Sequence, residues 1–158
     1  MELVILIGIQ GAGKSTFCQQ RFYDTHIRIN LDMLRTRRRE ARIVDACFAS
    51  RQRFVVDNTN PTKYDRSRYI VPAKAAGFQV VGYYFEPDVN ACDERNRKRP
   101  STQVVPGFVI QATCDKMEEP SFDEGFDELY SVRISPSGTF IVNAFRQEGP
   151  LCEESHEG

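Results

Sequence analysis

The sequence has few of the features that indicate a secreted or metal-binding scaffold. Its five cysteines are odd in number, and no two of them form a CxxC pair. This spacing argues against a disulfide framework and against a zinc site. We expect small buried or partly exposed thiols in a reducing compartment, at positions Cys18, Cys47, Cys92, Cys114 and Cys152.

Long apolar runs, internal repeats and low-complexity linkers are also lacking. The run Leu3–Ile7 is too short to cross a membrane and has no basic flank of the signal-peptide kind. We therefore expect a cytoplasmic protein with no membrane partner. A chain of 158 residues is long enough for one compact domain, which we place at residues 1–146, followed by an acidic tail at residues 147–158.

The net charge of -1 conceals an asymmetry along the chain. Residues 1–115 carry a formal charge of +6, and residues 116–158 carry -7. A basic body with an acidic end is typical of a protein that binds a polyanion on one face. A solvated acidic tail explains the same numbers.

The order of strand-like and helix-like segments indicates an α/β fold. Continuous apolar runs are typical of strands that are buried on both faces of a parallel sheet. Alternation of strands with helices predicts about five parallel strands with helices on both faces. The predicted strands are Leu3–Ile7, His26–Asn30, Arg53–Val56, Gln79–Phe85 and Ser131–Ile134, with a possible extra edge strand at Phe140–Ala144. The predicted helices are Lys14–Tyr23, Met33–Ser50, Lys63–Ala76, with a kink or break at Pro72, Val89–Lys98 and Gly107–Glu118.

The segment GIQGAGKS directly after the first strand fulfils the pattern GxxxxGK[ST]. Its glycines allow successive backbone N–H groups to face an anion, and the following helix directs its N-terminal dipole at the same place. The lysine should reach the β- and γ-phosphates, while the serine hydroxyl ligates Mg²⁺. The motif predicts ATP or GTP together with Mg²⁺, but it does not separate a kinase from a hydrolase. The predicted contact residues are Gly8, Gly11, Ala12, Gly13, Lys14, Ser15 and Thr16.

Two aspartates follow predicted strands, where ligands of open α/β sheets bind. Asp32 follows the second strand and Asp57 the third. Phosphoryl transfer to a hydroxyl needs a proton acceptor and an anchor for metal or substrate, and these aspartates are the candidates. The alternative for Asp32 is an N-cap of the next helix, and the alternative for Asp57 is an Asx-turn.

Two arginine-rich segments accompany these aspartates. At helical spacing, Arg35, Arg38, Arg39 and Arg42 form a basic stripe whose only nearby acid is Glu40. Such a stripe suits a polyphosphate or nucleic acid, although most charge runs are simply solvated. Residues 95–106, which begin RNRKRP, predict a lid over the phosphates, although basic residues there also complement a helix C-terminus.

Together these motifs resemble the polynucleotide 5′-hydroxyl kinases of phages and animals, P-loop kinases of the zeta-toxin-like ATPase group. The resemblance runs from Leu3 to Ile134 through GIQGAGKST, NLDMLR, DNTNPTKYDRSRY, RNRKRPSTQVVP and EEPSFDEGFDEL. It implies a P-loop kinase with a helical lid that phosphorylates a 5′-hydroxyl end of DNA or RNA. Two positions depart from the pattern: Leu31 stands where these families have arginine, and Pro100 stands where the phage enzyme has glycine.

The resemblance also implies a role for each matching residue. Asp32 corresponds to the general base for the 5′-hydroxyl, and Arg35 to the residue that holds the phosphate nearest to it. Arg95 and Arg99 correspond to lid arginines on the donor phosphates, and Asp57 and Asn58 to supports of the acceptor site. Lys14, Asp32, Arg35 and Arg99 are thus the predicted catalytic residues, and Arg38 is a further predicted substrate contact.

Two other functions fit parts of this pattern. A kinase for a small hydroxylated metabolite or nucleoside would use the P-loop, the base and the lid, but not the arginine stripe. An ATP-binding switch without catalysis would need only the P-loop. The sequence does not distinguish DNA from RNA, and it leaves the oligomeric state open.

Overall fold

The computed structural model describes residues 1–146, which form one six-stranded sheet with helices on both faces. The sheet order is β2-β3-β1-β4-β5-β6; the first five strands are parallel, and β6 is antiparallel to β5. The predicted fold is confirmed. The tail predicted at residues 147–158 lies outside the described residues. The strands are β1 (Glu2–Ile7), β2 (Ile27–Ile29), β3 (Phe54–Asp57), β4 (Gln79–Phe85), β5 (Glu128–Ile134) and β6 (Phe140–Ala144).

Six α-helices connect the strands. Short 3-10 helices occur at Ser101–Gln103 and Phe122–Glu124. No helix within residues 1–146 is long and apolar enough to span a bilayer. The α-helices are α1 (Lys14–Phe22), α2 (Leu31–Leu34), α3 (Arg37–Ser50), α4 (Lys63–Ala75), α5 (Val89–Arg97) and α6 (Gly107–Lys116).

The central strand β1 shows why the chain forms two hydrophobic layers. Leu3, Ile5 and Ile7 point to one core, and Val4 and Leu6 point to the other. All five side chains are fully buried because successive residues of a strand face opposite sides of the sheet. This arrangement places the end of β1 in the middle of the sheet edge where parallel strands terminate.

The segment after β2 differs from the prediction. A single helix at Met33–Ser50 was expected, but the chain forms α2 and α3 with a break at Arg35 and Thr36. The side chain of Asn30 caps α2, and that of Thr36 caps α3 by accepting from the Arg39 N–H at 3.2 Å. The N-cap alternative for Asp32 is therefore wrong.

Of the kink or break expected at Pro72, the break is wrong, because α4 continues to Ala75. Pro72 lies in the last turn, so its missing N–H costs the helix one internal hydrogen bond. The buried side chains of Tyr69, Ile70 and Ala73 hold this turn against the core. The helix ends before Gly77, which adopts a positive φ of 75° as C-terminal glycines commonly do.

Candidate active site

The P-loop connects β1 to α1 with two glycines in left-handed conformations. Gly11 has φ 79° and Gly13 has φ 93°. A Cβ on Gly11 would lie 2.3 Å from the carbonyl oxygen of Cys92, and one on Gly13 would lie 3.1 Å from the ring of Phe140. The loop thus needs glycine both for its backbone angles and for its packing. Such a loop at a helix N-terminus forms a concave anion site, and its residues fit a nucleoside triphosphate.

The ammonium of Lys14 lies inside this loop. Its Nζ donates a hydrogen bond to the carbonyl oxygen of Ile9 at 2.8 Å, and an ammonium has two further donors for phosphate oxygens. Burial lowers the pKa of Lys14 to about 8; the carboxylates of Asp57 and Asp32 oppose this shift, and the guanidinium of Arg99 adds to it. Asp32 and Arg99 are therefore close enough to affect this ammonium electrostatically.

Asp57 lies at the end of β3, and its carboxylate faces the P-loop rather than its own turn. Its side chain is 2% exposed. Asp57 Oδ2 accepts a hydrogen bond from the Ser15 hydroxyl at 3.0 Å and another from Arg28 Nε at 2.8 Å. The Asx-turn alternative does not describe this side chain. A hydroxyl beside a carboxylate fits Mg²⁺, which binds few protein oxygens and keeps waters and phosphates as its other ligands.

No group of three or more His, Cys, Asp or Glu side chains within residues 1–146 could hold a metal ion. Thr16 follows Ser15 in the first turn of α1, and both residues are exposed.

Asn58 connects the P-loop side of the sheet to the segment that carries Asp32. Its Oδ1 accepts from the backbone N–H of Leu31 at 2.8 Å, and its Nδ2 donates to Glu40 Oε2 at 3.1 Å. Glu40 is buried and also accepts from Tyr69 and Arg37. Burial, together with the hydrogen bond to Glu40, raises the pKa of Tyr69 to about 12, so its hydroxyl remains a donor. Asn58 thus fixes the start of α2.

Asp32 is the second residue of α2, and its side chain is exposed. Arg35 follows α2 with φ 75° and ψ -38°, a conformation that costs a non-glycine residue about 1–3 kcal/mol. The exposed Arg35 side chain is thereby directed by a strained turn rather than by a helix. Strain of this kind commonly occurs at functional sites.

The predicted basic stripe is divided by the same break. Arg35 lies outside α3, and Arg38, Arg39 and Arg42 are exposed on α3. None of these four forms an ion pair among residues 1–146; the pair of this segment joins Arg37 to Glu40. An exposed group of cations without acidic partners attracts polyanions.

The predicted lid arginines lie on or beside α5. Arg95 Nε donates to the carbonyl oxygen of Gly11 at 2.7 Å, which joins α5 to the P-loop. Arg99 follows the helix and is exposed. The buried amide of Asn96 forms hydrogen bonds with both the backbone N–H and the carbonyl of Val105, so the segment between α5 and α6 is closed at its base.

A cavity of about 610 Å³ opens beside the P-loop. It lies between the ends of β4 and β5 and the start of α5, and Ala12, Arg95 and Ile134 are among its lining residues. Its size and position suit the nucleoside part of a nucleotide. No sequence motif marks this cavity, because its walls come from four separate elements.

The parallel sheet and the P-loop at the end of β1 together identify a kinase-like P-loop ATPase fold. The AAA domain family (AAA_33) matches residues 3–120, and the chain belongs to this family. Among curated proteins, the chain is 23% identical over 135 residues to a bifunctional polynucleotide phosphatase/kinase of Schizosaccharomyces pombe. This match covers 83% of the chain but 33% of that relative, so the chain spans about a third of its length.

Solved structures share the fold at low sequence identity. Kti12 of Chaetomium thermophilum, solved in complex with ADP-AlF3, has a TM-score of 0.62 and 16% identity, with 83% of this chain and 88% of that chain covered. A gluconokinase of Sinorhizobium meliloti has a TM-score of 0.57 and 16% identity, with 84% and 82% covered. These neighbours establish the fold, and their different names leave the acceptor open.

Proposed function

We propose that the protein transfers the γ-phosphate of ATP, or of GTP, to the 5′-hydroxyl of a DNA or RNA end. The observation that carries the proposal is the hydrogen bond of 2.8 Å from the Leu31 backbone N–H to Asn58 Oδ1, which holds the segment carrying Asp32 next to Asp57, the hydrogen-bond partner of Ser15 in the P-loop helix. A phosphoryl-transfer site needs a proton acceptor, cations on the donor phosphates and a P-loop in this relation. We take residues 1–146 as the catalytic unit and residues 95–106 as its lid.

Each of these groups has one task in the proposed reaction. Asp32 accepts the proton of the attacking hydroxyl, while Lys14 and Arg99 stabilise the charge on the transferring phosphoryl group. A cation at Ser15 and Asp57, when bound, neutralises the phosphates. Arg95 positions α5 against the P-loop through its bond to Gly11. Catalysis then consists of positioning and charge stabilisation, because phosphoryl transfer needs little covalent chemistry from the protein.

The nucleic-acid acceptor rests on the arginines that follow Asp32. Arg35 lies three residues beyond the proposed base, and we assign it the acceptor phosphate nearest to the hydroxyl. Arg38, Arg39 and Arg42 extend the basic surface away from Asp32 along α3, as a substrate with several phosphates requires. The similarity to the polynucleotide phosphatase/kinase supports the same class of acceptor.

A kinase for a small hydroxylated metabolite is the second candidate. Leu31, directly before Asp32, carries no charge where the polynucleotide kinases have arginine. A neutral residue beside the proposed base suits an acceptor with fewer phosphates. Under this alternative, acceptor binding would show a flat salt response.

The Asp32→Asn variant tests the proposed base. Asparagine preserves the shape but cannot accept the proton, so we expect phosphate transfer to fall by about 10²–10⁴-fold while ATP affinity changes little. The matched control is Asp45→Asn, at an exposed aspartate of α3, for which transfer should be unchanged. Full activity in Asp32→Asn would remove Asp32 from the mechanism, and ATP binding without transfer in the wild type would favour a switch.

A further inference from the structure

Arg28 was not among the residues that the sequence marked as functional, yet its guanidinium contacts both members of the candidate metal pair. Arg28 Nε donates to Asp57 Oδ2 at 2.8 Å, and Arg28 Nη2 donates to Ser15 Oγ at 3.3 Å. The Ser15 hydroxyl donates to the same Oδ2 at 3.0 Å. One cationic side chain therefore spans the two oxygen groups that fit Mg²⁺.

The geometry points to Arg28 as an internal competitor of the divalent cation. Its guanidinium and Mg²⁺ hold the Ser15–Asp57 pair alternately, so a metal–nucleotide complex must displace Arg28 when it binds. This inference concerns cation binding and is independent of the acceptor that the protein phosphorylates.

The burial of Asp57 explains why we expect Mg²⁺ to replace the Arg28 guanidinium directly. Asp57 is 2% exposed, whereas the Arg28 side chain is 39% exposed. A buried carboxylate without a cationic or hydrogen-bonding partner is costly. The Ser15 hydroxyl remains bonded to Asp57 Oδ2 when the guanidinium leaves, and the ion pair made by Arg28 is then replaced by the contact of the carboxylate with the divalent cation.

The oxygen atoms leave little room for both cations together. Ser15 Oγ donates to Asp57 and accepts from Arg28, which uses the hydroxyl hydrogen and one of its two lone pairs. Mg²⁺ needs nearly octahedral geometry at about 2.0–2.1 Å from its ligands. A divalent cation bound to Ser15 would then lie next to the Arg28 guanidinium, which contacts the same two side chains. The two positive charges would repel each other.

The Arg28 side chain has a place to move. A cavity of about 440 Å³ lies between α1 and the segment leading into β2, and Ser15 and Arg28 are among its lining residues, with Gln19, Tyr23 and His26. The side-chain stem can pivot within this cavity while the guanidinium leaves Asp57. The imidazole of His26 is already held by Glu2 Oε1 at 2.8 Å, on the strand β1 beside this cavity.

Binding of the non-hydrolysable analogue AMPPNP to Arg28→Met tests the inference by calorimetry. We expect Kd in Mg²⁺ to fall about two- to fivefold, the range set by losing one partly exposed ion pair. In EDTA, the Kd of AMPPNP for Arg28→Met should differ from the wild-type value by less than about twofold. The control, Arg53→Met, removes an exposed arginine that precedes β3 and lies at the opposite end of that strand from Asp57, and it should bind like the wild type.

Two results would overturn the inference. Unchanged or weaker binding in Mg²⁺ would show that Arg28 only positions Ser15 and Asp57. Equally tighter binding in Mg²⁺ and in EDTA would show that it does not compete with the metal.

The wild-type chain provides a second measurement in case Arg28→Met does not fold. The Nε–H NMR signal of Arg28, assigned with Arg28→Lys, should shift when Mg²⁺ is added to the AMPPNP complex and return when EDTA is added. A signal that does not respond to Mg²⁺ would contradict the exchange.

Discussion

Lys14 is the residue on which the electrostatics of the site converge. Its ammonium is buried, and the pKa of about 8 reflects mainly the cost of that burial. A polyphosphate next to the ammonium stabilises its charged form and therefore raises the pKa. Nucleotide binding and protonation of Lys14 are thus linked.

This linkage predicts proton uptake when nucleotide binds at weakly alkaline pH. At pH 8 the unliganded protein holds about half a proton on Lys14, because pH and pKa are then equal. The complex holds the whole proton, so binding takes up about half a proton at pH 8 and more at pH 9. Affinity therefore falls as pH rises through 8.

Calorimetry in buffers of different ionisation enthalpy measures this uptake directly. The Lys14→Met variant carries no titrating group at this position, so the part of the proton uptake that belongs to Lys14 should be missing. Wild-type uptake that stays near zero from pH 7.5 to 9 would show that the ammonium is fully charged before nucleotide binds.

Single residues also show how far the sequence could predict the site. GxxxxGK[ST] located the P-loop because its residues are contiguous, and the structure builds that loop as a concave anion site. The contact of Asp57 with Ser15 joins residues 42 positions apart, and only the strand order β3-β1 brings them together. Arg28 gave no motif signal because a lone arginine in a strand matches no spacing rule.

At the scale of elements, the P-loop and α5 pack backbone to backbone. Gly11 faces the carbonyl of Cys92, and the Gly11 carbonyl in turn accepts from Arg95. The position of the proposed lid is therefore set by the same loop that forms the anion site. A change in that contact should affect stability and nucleotide binding together.

The Gly11→Ala variant tests this coupling. Its Cβ would meet a backbone atom at 2.3 Å and would also require an unfavourable φ of 79°, so we expect a loss of about 1–3 kcal/mol in the free energy of unfolding and weaker nucleotide binding. Urea denaturation and calorimetry measure these two effects.

Gly107→Ala is the matched control. The added Cβ meets its nearest atom, Asp93 Oδ1, at 3.4 Å, at the first residue of α6. Its free energy of unfolding should be unchanged or slightly raised, since alanine favours a helix more than glycine does. A Gly11→Ala protein as stable as this control would contradict the proposed coupling.

Elements differ in how well the sequence predicts their ends. β1 and β4 were predicted within one residue, because buried parallel strands are continuous apolar runs. The division between α2 and α3 was missed, because Arg35 and its neighbours carry no glycine or proline to mark a break. Caps by Asn30 and Thr36 produce this division, and both are polar residues that are equally common inside loops.

At the scale of the whole molecule, the basic residues of positions 1–115 divide into an exposed group that follows Asp32 and others that are paired or buried. Arg35, Arg38, Arg39 and Arg42 form no ion pair among residues 1–146, whereas Arg66 is fully buried against Glu124 far along the chain. Some basic residues of this protein therefore stabilise the fold through buried ion pairs, and others lie exposed on the surface. The proposed polynucleotide acceptor depends on the exposed group.

The most direct test of the central proposal is transfer of labelled γ-phosphate from ATP to a panel of acceptors. The panel contains 5′-hydroxyl DNA and RNA oligonucleotides, nucleosides, and sugars including gluconate. We predict label on the 5′ ends of oligonucleotides, with acceptor affinity that falls with salt by about 0.7 log units per log unit for each phosphate contact of a single strand. Label on nucleosides or sugars alone, or on no acceptor, would contradict the account.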